Sequence, residues 1–388
     1  MPPEPVRIPL ADWADTWLAE LARTTGSAAI AALDGATLLG ERAARNGFRI
    51  PGEKSAGGGC RMFAAADGTI ALNLARPDDR TLLPALFGSD WVDFAEDVAI
   101  AGAAKGKPAA VLVERGRVLG LAIARLDETP ASPAATVSAT GKRRDRTGRP
   151  LVIDLSALWA GPLAAHLLWL GGAEVIKVES LDRPDSMREG DPALFALLNQ
   201  GKANVALDLR DNGDCAALLA LIRRADAVIE AARPRALLQL GIDADALVRE
   251  VPGLAWVTIT GHGAKGDAAN WIGFGDDTGV AGGLSRALLE ETGTLGFVGD
   301  AIGDPLTGIY AAMIAQNAMT AGWSERSIVS MSGVVAAALA GQRASAPQEL
   351  ARSLQAWAGS AGQPFPPVAQ RPTAPPAALG ANNARLLN

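Results

Sequence analysis

From residue 151 to residue 260 the chain alternates short apolar runs with longer amphipathic ones. LVIDLS, AEVIKVES, ANVALDL, ADAVIEA and LAWVTIT are compact and rich in β-branched residues, as strands buried on both faces must be. Between them, AGPLAAHLLWLGG and CAALLALIRRA have helical length and helical apolar spacing. This rhythm predicts an α/β fold, a parallel Rossmann-like sheet with helices on both faces, whose ligands bind at the carboxyl ends of the strands.

The pattern before residue 151 is different. LADWADTWLAELA (10–22) and GATLLGERAARNG (35–47) are spaced as helices. In CRMFAAADGTIALNLA (60–75), Asp67-Gly68 predicts a hairpin turn between two strands. A second strand pair is expected in AAVLVERGRVLGLAIARL (109–126), turning at Glu114 to Gly116. These residues, 1–126, suggest a smaller α+β domain. DETPASPAATVSATGKRRDRTGRP (127–150) lacks an apolar period and suggests an exposed linker, whose Lys142, Arg143, Arg144 and Arg146 are solvated or hold a phosphate. Residues 151–345 form the main α/β domain, with IVSMSGVVAAALAG expected as a helix near its end. The Pro/Ala-rich tail, 346–388, is expected to wrap a surface.

Composition narrows the function. The chain has 388 residues, 49% hydrophobic and 20% charged, which is globular. A net charge of −6 argues against a nucleic-acid partner, because phosphate neutralisation needs a basic face. Two cysteines and two histidines in all make an ordinary zinc site an unpromising expectation, and no metal is assigned. No apolar run is long enough for a membrane span, and MPPEPVRIPLADWADTWL lacks the order of a secretion signal. The expected location is the cytoplasm. Neither GxxxxGK[ST] nor a GxGxxG after the first strand occurs, which removes the commonest nucleotide fingerprints.

One short stretch, AIGDPLTGIY (301–310), carries candidate chemistry. Asp304 before Pro305 reads as the N-cap of a helix. A carboxylate in that place can equally be a nucleophile. The stretches VIDLSALWAGPLAAHLLWLGGAEVIKVES, FALLNQGKANVALDLR, ADAVIEAARPRALLQLGI, LAWVTITGHGAKG and AIGDPLTGIYAAM resemble, in order and spacing, the class III CoA-transferase (CaiB/BaiF) family, which includes formyl-CoA transferase. RPTAPPAALGANNARLL is similar to that family's C-terminal end, and SAGGGCRMFAAADGTIALNLA to its glycine-rich loop and small domain. In the family the small domain follows the catalytic aspartate. Here it precedes the βα region, so the domain order looks exchanged.

The resemblance implies a CoA-transferase moving CoA between an acyl-CoA and a small carboxylic acid, with Asp304 as the nucleophile of a covalent mechanism. CoA is then a substrate, and no tightly bound cofactor is expected. A helix start at Asp304 would favour its ionised form. Gly57, Gly58 and Gly59 fall on the family loop that covers the intermediates; the resemblance implies an interlocked homodimer, in which the same chain or its partner supplies that loop. Ala160, Leu207, Arg210 and Arg233 fall on CoA-binding positions, although Ala231 and Ala232 replace the usual asparagine and aromatic residue and Ser180 a basic one. His262 stands where an aromatic residue is usual, as a proton carrier or as a replacement ring. His166, inside an apolar helix, is expected to be structural. Phe274, or Gly275 with a gap, stands where the family's racemase branch has a histidine, and Phe274 and His262 are counted with the CoA-binding candidates. A 2-methylacyl-CoA racemase is therefore an alternative only if His262 substitutes, and a non-catalytic CoA-binding protein is the other.

Overall fold

The computed structural model describes residues 6–89, 92–145, 148–232 and 234–387. Ten strands form two sheets among these residues. The first three are β1 (Cys60–Ala64), β2 (Thr69–Asn73) and β3 (Ala122–Arg125), and they make a small antiparallel sheet in the order β1-β2-β3. The others are β4 (Ala135–Arg143), β5 (Leu151–Leu155), β6 (Glu174–Ser180), β7 (Ala203–Leu207), β8 (Ala227–Glu230), β9 (Ala255–Thr260) and β10 (Trp323–Ser330). They form a seven-stranded sheet in the order β4-β10-β9-β8-β5-β6-β7. All its pairs are parallel except β10 with the edge strand β4.

The five strands expected in the βα region are thus present. Their adjacent residues face opposite layers, which is why they show no polar alternation. Val152 of β5 packs with the helices Ala160–Leu170, Gly303–Ala321 and Met331–Ser345, while Ile153 packs with Asn212–Arg224 and Ala244–Glu250. Because β8 returns to the far side of β5 after β6 and β7, the strand order reverses between β5 and β8, where an open α/β sheet offers a crevice. The helices Ala11–Thr25 and Gly35–Arg45 join the core of this large sheet. Cys60, Met62, Ala71 and Ala124 of the small sheet pack on Val280 and Ala281, linking the two sheets.

Three sequence expectations are corrected. Residues Ala109–Val118 are a helix, not the first half of a strand pair. Gly116, read as a turn glycine, is a contact glycine: a Cβ there would lie 2.9 Å from Ile123 Cγ2. The stretch 127–150 contains β4, which gave no apolar signal because Ala139 is its one buried residue. IVS, assigned to a helix, closes β10, and the helix begins at Met331 with the Ser330 hydroxyl accepting the Gly333 N–H. Of the basic cluster, Arg143 pairs with Asp145 and Arg144 with Asp226, and Arg146 lies outside the described residues.

The tail runs over the surface as expected and is fastened at several points. Asn382 and Asn383 finish the β7 edge: their side-chain oxygens accept the Asn204 and Ala206 N–H groups at 2.8 and 3.0 Å. Arg371, 8% exposed, pairs with Glu41, 1% exposed, with Nε 2.7 Å from Oε2. Arg371→Ala leaves that buried carboxylate without its partner. It is expected to lower stability at neutral pH by about 3–5 kcal/mol in urea titrations, and by less in acid, because burial raises the Glu41 pKa and the protonated acid needs no cation. A loss below about 1 kcal/mol at both pH values would show that the pair does not hold the tail.

Candidate active site

Asp304 lies in the first turn of Gly303–Ala321, one residue beyond the helix start, and does not cap it. Ile302 occupies the N-cap position and offers no side-chain bond. The Asp304 carboxylate instead faces other helices. Its Oδ2 accepts the Gly275 N–H, at the start of Gly275–Ala281, at 3.0 Å. The N–H of Ala160, which begins the helix after β5, is directed at the same carboxylate. Three helix starts therefore converge on one carboxyl group. Glycines permit the approach: a Cβ at Gly308 would lie 2.8 Å from the Ala160 carbonyl oxygen.

A buried ionic network holds the turn that presents Ala160. The Asp154 Oδ1 accepts the Ser156 N–H at 3.0 Å, and Lys202 Nζ reaches Asp154 Oδ2 at 2.8 Å and the Pro162 carbonyl at 2.9 Å. Lys177 Nζ donates to the Ser156 carbonyl at 2.9 Å and to Asp185 at 3.0 Å. Burial lowers the Lys202 pKa to about 8 against the attraction of Asp154. Charged residues inside the apolar runs VIDLS and VIKVES were the sequence signal for this network.

Around Asp304 the charges alternate. Arg42, on the helix Gly35–Arg45, donates from Nε to Asp300 Oδ2 at 2.8 Å, and its guanidinium lies 4.8 Å from the Trp159 ring centre. Burial would lower the Arg42 pKa, but Asp300, Asp276 and Asp304 together raise it, so it is a fixed cation. Asp276 Oδ1 accepts the Ala301 N–H at 3.0 Å. Asp304 and Asp276 keep some accessible surface, yet protein encloses their carboxyl groups. Burial, with Asp300 adding repulsion, pushes Asp276 up to about 6. Burial, with Asp276 adding repulsion, pushes Asp304 up to about 7, despite Arg42 and the Gly275 and Ala160 N–H groups. This corrects the expectation that a helix start keeps Asp304 charged: the partial charges of the helix ends do not offset burial beside a second carboxylate.

A pH dependence follows with a defined sign. Both folded pKa values lie above the ordinary value of 3.8, so the two groups contribute stability that is complete below about pH 4. That contribution is lost as pH rises through about 6 and about 7. In Asp304→Asn the fall of the melting temperature between pH 5 and 8 is expected to be roughly halved. An unchanged slope would mean that Asp304 is already ionised at pH 5.

The remaining candidates fall in different places. Ala160 and Phe274, the N-cap of Gly275–Ala281, sit beside Asp304 through their own or the next N–H. The glycine segment lies in the same neighbourhood of the same chain. A Cβ at Gly57 would be 3.0 Å from Arg42 Nη2, Gly58 has a left-handed φ of +79°, and a Cβ at Gly59 would be 3.1 Å from Ala75 Cβ. His262 is buried, edge-on to Trp271, with Nε2 4.0 Å from Asp277 Oδ2. Burial, with Arg117 adding repulsion, lowers its pKa to about 3, so it is a neutral ring. His166 is likewise buried, stacked on Trp169.

The expected CoA contacts are less coherent. Leu207 is wholly buried in the core, and its carbonyl accepts the Leu181 N–H at 2.9 Å. Arg210 is exposed at the end of β7 and paired with Asp182 at 2.8 Å and Asp208 at 3.2 Å. Arg233 lies outside the described residues. A cavity of about 670 Å³, lined by Arg117, Gly120, Gln239, Asn270, Trp271 and Ile272, opens between the end of the helix Ala109–Val118, the helix Pro234–Gln239 and the segment after β9. Its size suits a small-molecule ligand. Arg42, Ser55, Asp276 and Asp300 went unnoticed in the sequence; the Asp-Asp pair opening an otherwise apolar helix was the one local hint. Among the described residues no group of three or more His, Cys, Asp or Glu is placed to hold a metal ion, and no helix is long and apolar enough to cross a membrane.

Comparison with known proteins adds an independent result. The family model described as CoA-transferase family III matches residues 150–355, more than half of the chain, including β5 to β10 and Asp304. The chain is 31% identical to succinate–glutarate CoA-transferase of Agrobacterium fabrum over 49% of its length and 52% of that protein's. It is 32% identical to succinyl-CoA–D-citramalate CoA-transferase of Chloroflexus aurantiacus over 43% and 44% of the two chains. The chain thus spans about half the length of the curated relatives it matches. A crystal structure of a hypothetical protein (Rv3272) from Mycobacterium tuberculosis matches with a TM-score of 0.47 and 27% identity, over 52% of this chain and 59% of that one.

Proposed function

The chain belongs to CoA-transferase family III, and from that premise we propose that it moves CoA between an acyl-CoA and a small carboxylic acid through a covalent Asp304 intermediate. The observation that carries the proposal is Asp304 itself: a carboxylate turned away from its own helix, held by the Gly275 N–H and beside the Arg42 cation. At pH 8 its pKa of about 7 leaves it mostly ionised and more basic than a surface carboxylate, hence a better nucleophile.

The steps balance without an outside reagent. The Asp304 carboxylate attacks the thioester carbonyl carbon, the C–S bond breaks, and a mixed anhydride and CoA thiolate form. The thiolate attacks the aspartyl carbonyl and releases the donor acid, leaving an aspartyl-CoA thioester. The acceptor carboxylate attacks the aspartyl carbonyl of this thioester, the C–S bond breaks, and a second mixed anhydride and CoA thiolate form. The thiolate then attacks the acceptor's carbonyl, giving the acceptor's acyl-CoA and freeing the Asp304 carboxylate. The protein's part is to hold the carboxylate in line, keep Arg42 near the developing negative charge, and exclude water. The segment holding Gly57 and Gly58 lies beside Arg42 and supports the last of these roles.

The named relatives act on succinate, glutarate and citramalate, so a short dicarboxylic acid is the acceptor class we propose. The racemase alternative is less well supported, because His262 is buried and held neutral, with Nε2 4.0 Å from Asp277 and no hydrogen bond between them. We further propose a cytoplasmic homodimer, to be checked by light scattering.

The decisive test is peptide mass spectrometry after mixing the protein with acetyl-CoA or succinyl-CoA and trapping with hydroxylamine. The expected result is a hydroxylamine-sensitive adduct on the peptide holding Asp304. CoA binding with no adduct from any donor would favour a binding protein instead.

A further inference from the structure

Asp276 is the second residue of Gly275–Ala281 but does not cap that helix: Asp277 Oδ1 accepts the N-cap Phe274 N–H at 2.9 Å. Asp276 turns instead to two segments far away in the sequence. One is the turn before Asp304, where its Oδ1 accepts the Ala301 N–H at 3.0 Å. Ala301 has a left-handed φ of +41°, a strained conformation for a residue with a Cβ, and its carbonyl accepts the Asp304 N–H at 2.9 Å. The other is the start of the glycine segment. Ser55 is buried, its Oγ accepts the Cys60 N–H at 3.1 Å, and its hydroxyl lies near enough to the Asp276 carboxylate to favour that group's charged form. Two residues on, Gly57 packs against Arg42.

The contacts are also reciprocal. Asp304 accepts the N–H of the residue before Asp276, and Asp276 accepts an N–H three residues before Asp304. We propose that Asp276 is a positioning residue that ties glycine segment 55–59 to the strained Ala301 turn, so that the segment stays closed over Asp304 and Arg42. Given the transferase activity proposed above, on which this consequence rests, the tie excludes water while the acyl group is on Asp304. Without it the segment opens, and water competes with the acceptor acid for the intermediate.

Two substitutions at Asp276 separate this role from a merely structural one. Asp276→Ala removes both contacts. Asp276→Asn keeps them, its oxygen accepting from Ala301 and its amide donating to Ser55 Oγ. In hydrogen-exchange mass spectrometry, peptide 53–59 is expected to exchange about tenfold faster in Asp276→Ala and within about twofold of wild type in Asp276→Asn. The hydrolysed share of turnover, measured against transfer to an added acid, is expected to rise about tenfold in the alanine variant and to be restored by asparagine. A folded Asp276→Ala with wild-type exchange in 53–59, or the same hydrolysed share in both variants, overturns the proposal. If the alanine variant does not fold, Ser55→Ala decides: faster exchange in 53–59 with 298–306 unchanged supports the tie, and wild-type exchange overturns it. If the wild type forms no acyl adduct, the transferase activity fails, while the exchange experiment still judges the tie by itself.

Discussion

Asp304→Ala is expected to lower CoA transfer by about four orders of magnitude while the protein stays folded, because the proposed mechanism then loses its nucleophile and every later step in it needs the covalent product. The variant separates catalysis from capping. Ile302, not Asp304, stands at the N-cap, so losing the carboxylate costs the helix no cap bond of its own. The Gly275 and Ala160 N–H groups lose a partner, which opposes stability. Removing an acid held at a pKa of about 7 beside Asp276 favours it at pH 8. The two effects nearly cancel, so the melting temperature at pH 8 is expected to change little. Initial rates with the acyl-CoA identified by adduct formation, and a thermal melt of the same preparation, make the check. A rate within tenfold of wild type would remove Asp304 from the chemistry. A collapse in stability at unchanged specific activity of the folded fraction would return it to a structural role.

Gly275→Ala is expected to damage activity less than Asp304→Ala and stability far more. A Cβ at this position would lie 2.1 Å from the Ala301 carbonyl oxygen, 2.4 Å from Asp304 Oδ2 and 2.6 Å from the Ala301 carbonyl carbon. The first and last of these are backbone, and Ala301 is already strained, so the helix start must move away from the Asp304 turn. The expected cost is about 3 kcal/mol or more, from overpacking at a site with no flexible neighbour to yield. Any folded fraction loses about a hundredfold in transfer, because the displaced Gly275 N–H no longer orients the carboxylate. Gly279→Ala, in the same helix, is the control. Its Cβ would meet Ile302 Cγ2 at 3.6 Å, an ordinary contact, and the change is expected to stabilise the helix by about 0.5–1 kcal/mol. Equal tolerance of both substitutions in denaturant titrations would mean that the two helix starts are not in such close contact.

Where local chemistry sets local structure, the chain could be read directly. Strands β5 to β9 were legible because a parallel strand buried on both faces must be apolar along its whole length. The hairpin at Asp67-Gly68 was legible because that dipeptide between two strand-like runs signals a turn, although neither residue adopts a positive φ here. Asp304 stood out as a carboxylate at a helix start. Strands β4 and β10 escaped because β4 is an edge with little to bury and β10 carries polar residues toward it. The Ala109–Val118 helix was misread because its glycine serves a contact with Ile123 that no neighbouring residue announces.

By itself, then, the sequence determined the α/β sheet and the helix start that presents Asp304, since periodicity and helix-start chemistry act over a few neighbouring residues. Only the tertiary structure decided what surrounds that carboxylate. Arg42, Ser55, Asp276 and Asp300 come from four separate stretches of chain; burial where they meet, with repulsion from Asp276, raises the Asp304 pKa to about 7 against the pull of Arg42, and the glycine segment lies in the same place. Coulomb interaction and desolvation depend on distance through space and on excluded water, and neither is written in the spacing of residues along the chain.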